Sequence, residues 1–326
     1  MYNQIEAVLS QYDVEINGVT KGRGTYICNT SCGEKVLLPF GGSKEKGEFL
    51  KSYLEQIKEQ GFEVEQIFVN KEGLAVTEDE VTGERFVLKD SITGLELNTD
   101  NQREMEEAIR LLARYHKTAS SLSLEIPEKM RDGEKQVLEG CKRHYRELVK
   151  VKNYIRNRKK KNEFEQIYMK YFLPMLATAE ESITCLENLQ NANGGCGICH
   201  GDFNQHNVVC KGGMWYMIHF ENFVYSWRIM DLANFMRKML EKNDWDVALG
   251  LRLLEVYQET IGLTSEERQR LYGILLFPEK FWKVTNHYIN SKKAWISARD
   301  IEKLQRVIAQ ETLRLNFVEN LFKITG

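Results

Sequence analysis

Proline is scarce, 4 of 326 residues, and glycine at 23 is ordinary. These values exclude collagen-like, proline-rich and low-complexity architectures. Long apolar runs are missing too. No stretch approaches the ~20 apolar residues of a spanning helix, so no membrane is expected. The N-terminal MYNQIEAVLSQYDVEING has acidic residues and no basic leader, so no secretory signal is expected and synthesis and folding are assigned to the cytoplasm. An excess of basic charge is also absent. With 45 Lys and Arg against 47 Asp and Glu the net charge is −2, which argues against a nucleic-acid partner. Cysteines number seven, an odd count that favours reduced thiols over a disulfide framework. Cys196-Gly197-Ile198-Cys199-His200 matches the c-type haem attachment pattern, but that chemistry requires export, so no haem is expected. The spacings of Cys28 with Cys32 and of Cys196 with Cys199 would suit zinc. Small buried or surface thiols are the plainer reading, and no zinc is expected.

What is present is an ordinary globular composition, 42% hydrophobic and 28% charged, long enough for two domains or two lobes. Residues 1–90 hold 10 basic and 16 acidic residues, net −6, and the remainder holds 35 and 31, net +4. Residues 3–12 read as a short helix. Thr25-Tyr26-Ile27-Cys28 and Lys35-Val36-Leu37-Leu38 flank the turn-forming Asn29–Gly33, which predicts a hairpin. Phe49, Leu50, Tyr53, Leu54 and Ile57 recur at helical spacing over 44–60, and Gly61 stops that helix. Residues 64–69, 73–78 and 85–89 predict further strands. From 101 the pattern is helical: one stripe carries Met105, Ala108, Ile109, Leu112 and Tyr115. Residues 134–192 predict one or two long helices, with a break or helix start at Pro174. Val208–Cys210 and Trp215–Phe220 predict strands around Lys211-Gly212-Gly213, and the chain after 230 is helical to Phe322. The fold class is therefore α+β: a β-rich lobe with one helix over 1–90, and an α-rich lobe carrying a β hairpin over 91–326. Clefts between such lobes are preferred ligand sites.

The informative string is His200-Gly201-Asp202-Phe203-Asn204-Gln205-His206-Asn207. In kinase-like phosphotransferases an Asp and an Asn five positions later share one catalytic loop. The Asp accepts the proton of the acceptor hydroxyl and the Asn side chain holds magnesium. On that template Asp202 is the catalytic base and Asn207 a metal ligand. A second metal Asp is expected at the end of the next strand. The sequence there is Ile218-His219-Phe220-Glu221, with His219 at the Asp position. A neutral imidazole supplies no charge and suits magnesium poorly, and Glu221, two positions on, is the available substitute.

These strings resemble the spore-coat CotS family, of the kinase-like fold shared with aminoglycoside phosphotransferases and choline kinases. The resemblance spans nearly the whole chain. It includes Lys21–Cys28, the hinge-like Phe86-Val87-Leu88-Lys89-Asp90, Leu111–His116, and Asp231-Leu232-Ala233. The strings Pro278–Lys283 and Lys293-Ala294-Trp295-Ile296-Ser297 complete it. The resemblance implies a two-lobed kinase-like protein, ATP and magnesium as cofactors, Lys89 at the nucleotide, other coat proteins or a small molecule as partners, and the spore coat as destination.

The departures from the family pattern matter as much. The lysine that contacts the nucleotide phosphates aligns with Leu38. Lys35, three residues earlier and on the opposite strand face, is the candidate replacement, and Glu48 the candidate ion-pair partner. Gly18, Gly22 and Gly24 form a candidate phosphate turn. Phosphoryl transfer depends on positioning and electrostatics. A roughly 10³-fold loss corresponds to about 4 kcal/mol of barrier, and losing both the lysine and the metal Asp should cost at least that. The expected function is therefore a degenerate kinase acting in coat assembly or binding, and the alternative is an active ATP-dependent phosphotransferase on a small hydroxyl-bearing substrate. Three other features have bland readings as the first choice. Residues 142–161 hold ten basic residues and one acid, Glu147, which reads as a solvated helical face or as a dock for an acidic partner. Asp231 reads as structural, and Trp282 and Trp295 as packing.

Overall fold

In a computed structural model the described residues are 2–22, 24–131, 133–189, 194–291 and 297–325. Arg23 and most of the second C-terminal string, Trp295 included, lie outside them. The chain forms two compact units. One comprises Met1–Asn98, Arg114–Leu124 and His200–Phe223, and the other Thr99–Ala113, Glu125–Cys199 and Val224–Gly326. The segment 200–223, which holds the kinase-like loop, thus clusters with the N-terminal β-rich residues.

The first unit is built on an antiparallel sheet. Strands β1 (Ile16–Lys21), β2 (Tyr26–Thr30), β3 (Gly33–Pro39), β4 (Ile67–Phe68), β5 (Thr77–Glu78) and β6 (Arg85–Asp90) pair in the order β1-β2-β3-β6-β4, with β5 also on β6. The β2–β3 hairpin closes on local chemistry: the Thr30 hydroxyl accepts from the Cys32 N–H at 3.1 Å and donates to the Gly33 carbonyl at 2.7 Å. Helix α1 (Tyr2–Leu9) lays Ile5, Val8 and Leu9, with Tyr12 beyond its end, on Cys28, Leu37, Phe86 and Leu88 of the sheet. Each such buried side chain stabilises the fold by about 1.5–3 kcal/mol. Helix α2 (Lys44–Glu59) starts where the Ser43 hydroxyl accepts from the Lys46 N–H at 3.1 Å, and it buries Leu50, Tyr53, Leu54 and Ile57. Its Tyr53 hydroxyl donates to that of Tyr115 at 2.8 Å, on α3 (Gln102–Ser121). A smaller sheet joins β7 (Leu95–Glu96), β9 (Val208–Lys211) and β10 (Met214–Met217), and a bridge between Val64 and Met217 ties it to the chain leading into β4. The strand expected over 215–220 stops at Met217: His219 has φ 69°, ψ 56°, and Phe220–Asn222 form one 3₁₀ turn.

The second unit is helical. It includes α4 (Gly133–Arg156), α5 (Glu163–Asn188), α6 (Ile229–Leu240), α7 (Val247–Gln258), α8 (Ser265–Leu276), α9 (Glu279–Asn290) and α10 (Ala298–Thr325). Leu148, Val151 and Ile155 of α4 pack with Phe164, Tyr168, Phe172 and Met175 of α5, and with Phe281 and Leu304. The break in 134–192 falls at 157–162, where Asn162 and Glu165 form a capping box, and not at Pro174, which lies inside α5. Pro174 removes one backbone donor, but the buried Phe172, Met175 and Ala179 around it hold the helix against its neighbours. Cys196-Gly197-Ile198-Cys199 is β8, paired antiparallel with β11 (Val224–Trp227). All seven cysteines are free thiols, and Cys28 and Cys199 are buried. The string Pro278–Lys283 knits α9 to α4: Trp282 stacks on His144 with centroids 3.3 Å apart, and its ring N–H donates to Glu147 at 2.7 Å. Asp231 is buried in the first turn of α6. Along the outer face of α4 and the following turn, Arg146, Lys150, Arg156, Lys159 and Lys160 are exposed and have no ion-pair partner among the described residues.

Candidate active site

The first unit contains a cleft of about 760 Å³. One wall carries Gly22, Gly24, Thr25 and Leu38, and the other Asp202, Asn207, His219 and Glu221. A second cavity of about 520 Å³, between α1 and β1, is lined largely by apolar side chains such as Ile5, Leu9, Val14 and Val19 and brings no catalytic group together.

The loop after His200 owes its shape to a close approach. Gly201 has φ +80°, and a Cβ there would lie 2.0 Å from the Asn222 carbonyl oxygen. Only glycine fits both conditions. His200 is fully buried, its Nε2 2.9 Å from the Ile218 carbonyl while Nδ1 accepts from the Asp202 N–H at 3.3 Å. A carbonyl only accepts, so the proton resides on Nε2. Asp202 is held from both sides. Asn204 Nδ2 donates to Oδ1 at 3.0 Å and Asn207 Nδ2 to Oδ2 at 3.2 Å, and both amides also donate to the Asp202 carbonyl, at 2.9 and 2.8 Å. The carboxylate faces the cleft with its orientation set, as a group accepting a hydroxyl proton requires. Asn204 has no role in the sequence reading; its place two residues after an Asp, at Asx-turn spacing, is the local signal for one.

Where the kinase template would have its second metal aspartate, the structure places a buried charge cluster. Lys89, on β6, pairs with Glu65 at 2.5 Å and with Glu221, and its ammonium is 3.3 Å from His219 Nδ1. Glu65 Oε1 also accepts the backbone N–H groups of His219 at 2.8 Å and Phe220 at 3.2 Å. Burial alone would lower the Lys89 pKa, but Glu221 and Glu65 outweigh it and the net shift is upward. Burial pushes Glu65 up more than Lys89 pulls it down. For Glu221 burial also acts upward, yet Lys89 and then His219 prevail, and its carboxyl lies well below the usual range. The cluster is thus a saturated one, with Lys89 already supplying the cation. Glu65 escapes the sequence reading because nothing local separates it from the exposed Glu63; the signal is its place in the run Val64-Glu65-Gln66-Ile67, both ends of which are buried.

The remaining site residues fall away from the cleft. Lys35 is buried, pairs with Asp90 at 2.9 Å and lies 4.0 Å from the centroid of the Phe68 ring. It does not replace the missing phosphate lysine, because its opposite parity to Leu38 sends it to the other face of β3. Glu48 does not pair with it either: its Oε1 accepts the Ala75 N–H at 2.7 Å. Leu38 lines the cleft without a charge, whereas Lys89 is packed behind Glu221. Magnesium therefore has a poor donor set here. Asn207 could offer its amide oxygen, but Glu221 is engaged by Lys89 and His219 is an imidazole. Among the described residues no group of three or more His, Cys, Asp or Glu side chains is placed to hold a metal ion, although magnesium commonly needs only one or two carboxylates beside water and substrate phosphates. The glycine turn at Gly22 and Gly24 does line the cleft, while Gly18 lines the second cavity.

Comparison with known proteins agrees with this architecture. The family described as "Spore coat putative kinase YutH" matches residues 5–321. Spore coat protein S of Bacillus subtilis (strain 168) is 22% identical over 337 residues, covering 97% of this chain and 93% of that protein. Among solved structures, an aminoglycoside phosphotransferase from Alicyclobacillus acidocaldarius superposes with a TM-score of 0.81 at 18% identity, covering 98% of this chain and 96% of its own. An amicoumacin kinase in complex with AMP-PNP, Ca²⁺ and Ami gives 0.65 at 14% identity, over 97% and 93% of the two chains. At these identities the structural likeness establishes the kinase-like fold.

Proposed function

The chain belongs to the YutH family of spore coat kinase-like proteins, and we propose that it serves the coat as a binding or assembly protein whose phosphotransfer centre has lost its cations. The observation that carries this reading is the Lys89 ammonium, bonded to both Glu65 and Glu221 and 3.3 Å from His219, where a kinase holds its second metal. A protein cation resident there leaves Glu221 no free charge for magnesium. The uncharged Leu38 removes the second contact to the nucleotide phosphates. Spore coat protein S, a relative over nearly the full length, supports the coat as destination after cytoplasmic synthesis, and other coat proteins as partners.

A second reading has one observation in its favour. Asp202 and Asn207 keep the geometry of an acceptor base and its companion amide. That geometry would serve an ATP-dependent phosphotransferase acting on a small hydroxyl-bearing substrate. Calorimetric titration with ATP, with and without magnesium, followed by a turnover assay, separates the two. Weak binding indifferent to magnesium, with no turnover, is expected. Sub-micromolar, strictly magnesium-dependent binding by the unmodified protein would transfer the assignment to the second reading.

A further inference from the structure

The cleft is rich in acceptors: Asp202, Glu96 and Glu221 all line it. Among its described lining residues one lysine or arginine is present, Lys46, in the first turns of α2. Its stem crosses Gly42, where a Cβ would lie 3.0 Å from Lys46 Cδ and 2.7 Å from the Phe40 ring. Glycine at 42 therefore lets the stem lie against the backbone. The ammonium stands 4.7 Å from the centroid of the Phe223 ring, one residue beyond the lining Asn222. An aromatic face attracts a cation but neither neutralises it nor accepts a strong hydrogen bond.

The other lysines near the site are spent. Lys35 pairs with Asp90, and Lys89 with Glu65 and Glu221. Lys44, two residues earlier on α2, is exposed and pairs with Glu78 at 3.3 Å. Lys46 is half-buried and has no carboxylate partner among the described residues. Burial without such a partner pushes its pKa below the ordinary lysine value, as expected for an ammonium partly stripped of water. An anion arriving in the cleft would restore the missing interaction, and the small residues Gly22, Gly24 and Thr25, which line the same cleft, leave it room.

We propose that Lys46 is the anion anchor of this cleft, taking a phosphate group of a phosphorylated ligand without a metal ion. It would do so from the start of α2, in place of the lysine that Leu38 has displaced. The inference rests on the reading of the cleft as a binding site and specifies what that site holds. A charge-assisted hydrogen bond of this kind contributes about tenfold or more in affinity.

The test is calorimetry on the full chain in EDTA at low ionic strength, with ADP, inorganic tripolyphosphate and adenosine as probes. ADP and tripolyphosphate should bind, with affinity falling as salt rises, and ADP more tightly than adenosine. Lys46→Met should weaken ADP at least ~10-fold and leave adenosine unchanged, Lys46→Arg should restore most of the loss, and Lys44→Met should do neither. Thermal melts check that each variant is folded. Equal ADP affinity for wild type and Lys46→Met, a matching loss in Lys44→Met, or no binding of either phosphate probe overturns the proposal. Magnesium-dependent turnover would sink the pseudokinase reading alone, since these affinities are measured without metal.

Discussion

Replacing Lys89 by Met retains most of the stem volume and deletes the ammonium, leaving the buried Glu65 and the cleft-lining Glu221 without the cation they share. Glu65 and Lys89 are each 2% exposed. Removing one partner of a buried ion pair costs about 3–5 kcal/mol, because the remaining charge is uncompensated. A chain of 326 residues unfolding as one has an entropy of about 0.7 kcal/mol/K, so the melting temperature should fall by ~4–7 °C. The pH dependence gives a sharper check. Glu65 already has a raised pKa in the native protein. A carboxyl raised in the folded state stabilises the fold below its unfolded pKa, and that contribution is lost as pH rises through the folded value. Without Lys89 the Glu65 pKa rises further, and burial is left as the main influence on Glu221. The gap between wild type and variant should be widest at neutral pH and above, and should close toward pH ~4, where both carboxyls take up protons. The assay is a set of thermal melts across that range. A variant as stable as wild type at neutral pH, or a gap that does not change with pH, would refute the argument that Lys89 is the resident cation.

Restoring charges should partly reverse the loss of the metal site: His219→Asp with Leu38→Lys is expected to increase magnesium-dependent ATP binding in calorimetry, and indifference would mean a cleft remodelled beyond these positions. Asp suits the left-handed backbone at 219, so the substitution should not lower the melting temperature through strain. Neutralising Arg156, Lys159 and Lys160 together, with Arg158 spared because it pairs with the buried Glu165 at 2.6 Å, should reduce recovery of acidic coat partners from sporulating-cell lysate. Raising the salt should do the same to the wild type, since such attraction reaches about 8 Å at physiological ionic strength; the melt should move little. Glu279 gives a pH signature in the helical unit. Burial would raise its pKa, but His144, Lys283 and Arg237 hold it at about 2, so its contribution is present above the ordinary carboxyl value and is lost as pH falls toward 2. Glu279→Gln should flatten that part of the stability–pH curve.

The parts of the fold legible in the sequence are those specified locally. The β2–β3 hairpin has its turn residues in place, α2 has its cap and apolar stripe, and the Asp202–Asn207 loop carries its chemistry in consecutive residues. Strand β1 is hidden because Ile16-Asn17-Gly18-Val19-Thr20-Lys21 has little apolar alternation and is only half-buried. Strand β8 is short, and its partner β11 lies at residues 224–227, a pairing that no local pattern announces. The site divides the same way. Asp202 and Asn207 come together as their spacing predicts, but Glu65, Lys89 and Glu221 meet only through the sheet and the turn after β10. Lys35 misleads because a lysine beside an apolar run looks available until its Asp90 partner, across the β3–β6 register, is known.

The grip of Glu65 on the His219 and Phe220 amides bears on motion as well as charge. Phe220 is fully buried, with its ring 4.6 Å from that of His200 and 5.5 Å from that of Tyr115. In protein kinases the packing of the Phe beside the metal aspartate distinguishes active from inactive forms. Here that segment is fastened at its backbone by a carboxylate and at its side chain by aromatic rings. Swinging it out would break two charge-assisted hydrogen bonds and expose a phenyl ring in one step. The amides of residues 219 and 220 should therefore be among the slowest to exchange in the first unit, opening only when the unit itself opens. A protein so fastened has no in-and-out transition for a regulator to bias, so its state would be read from what occupies the cleft.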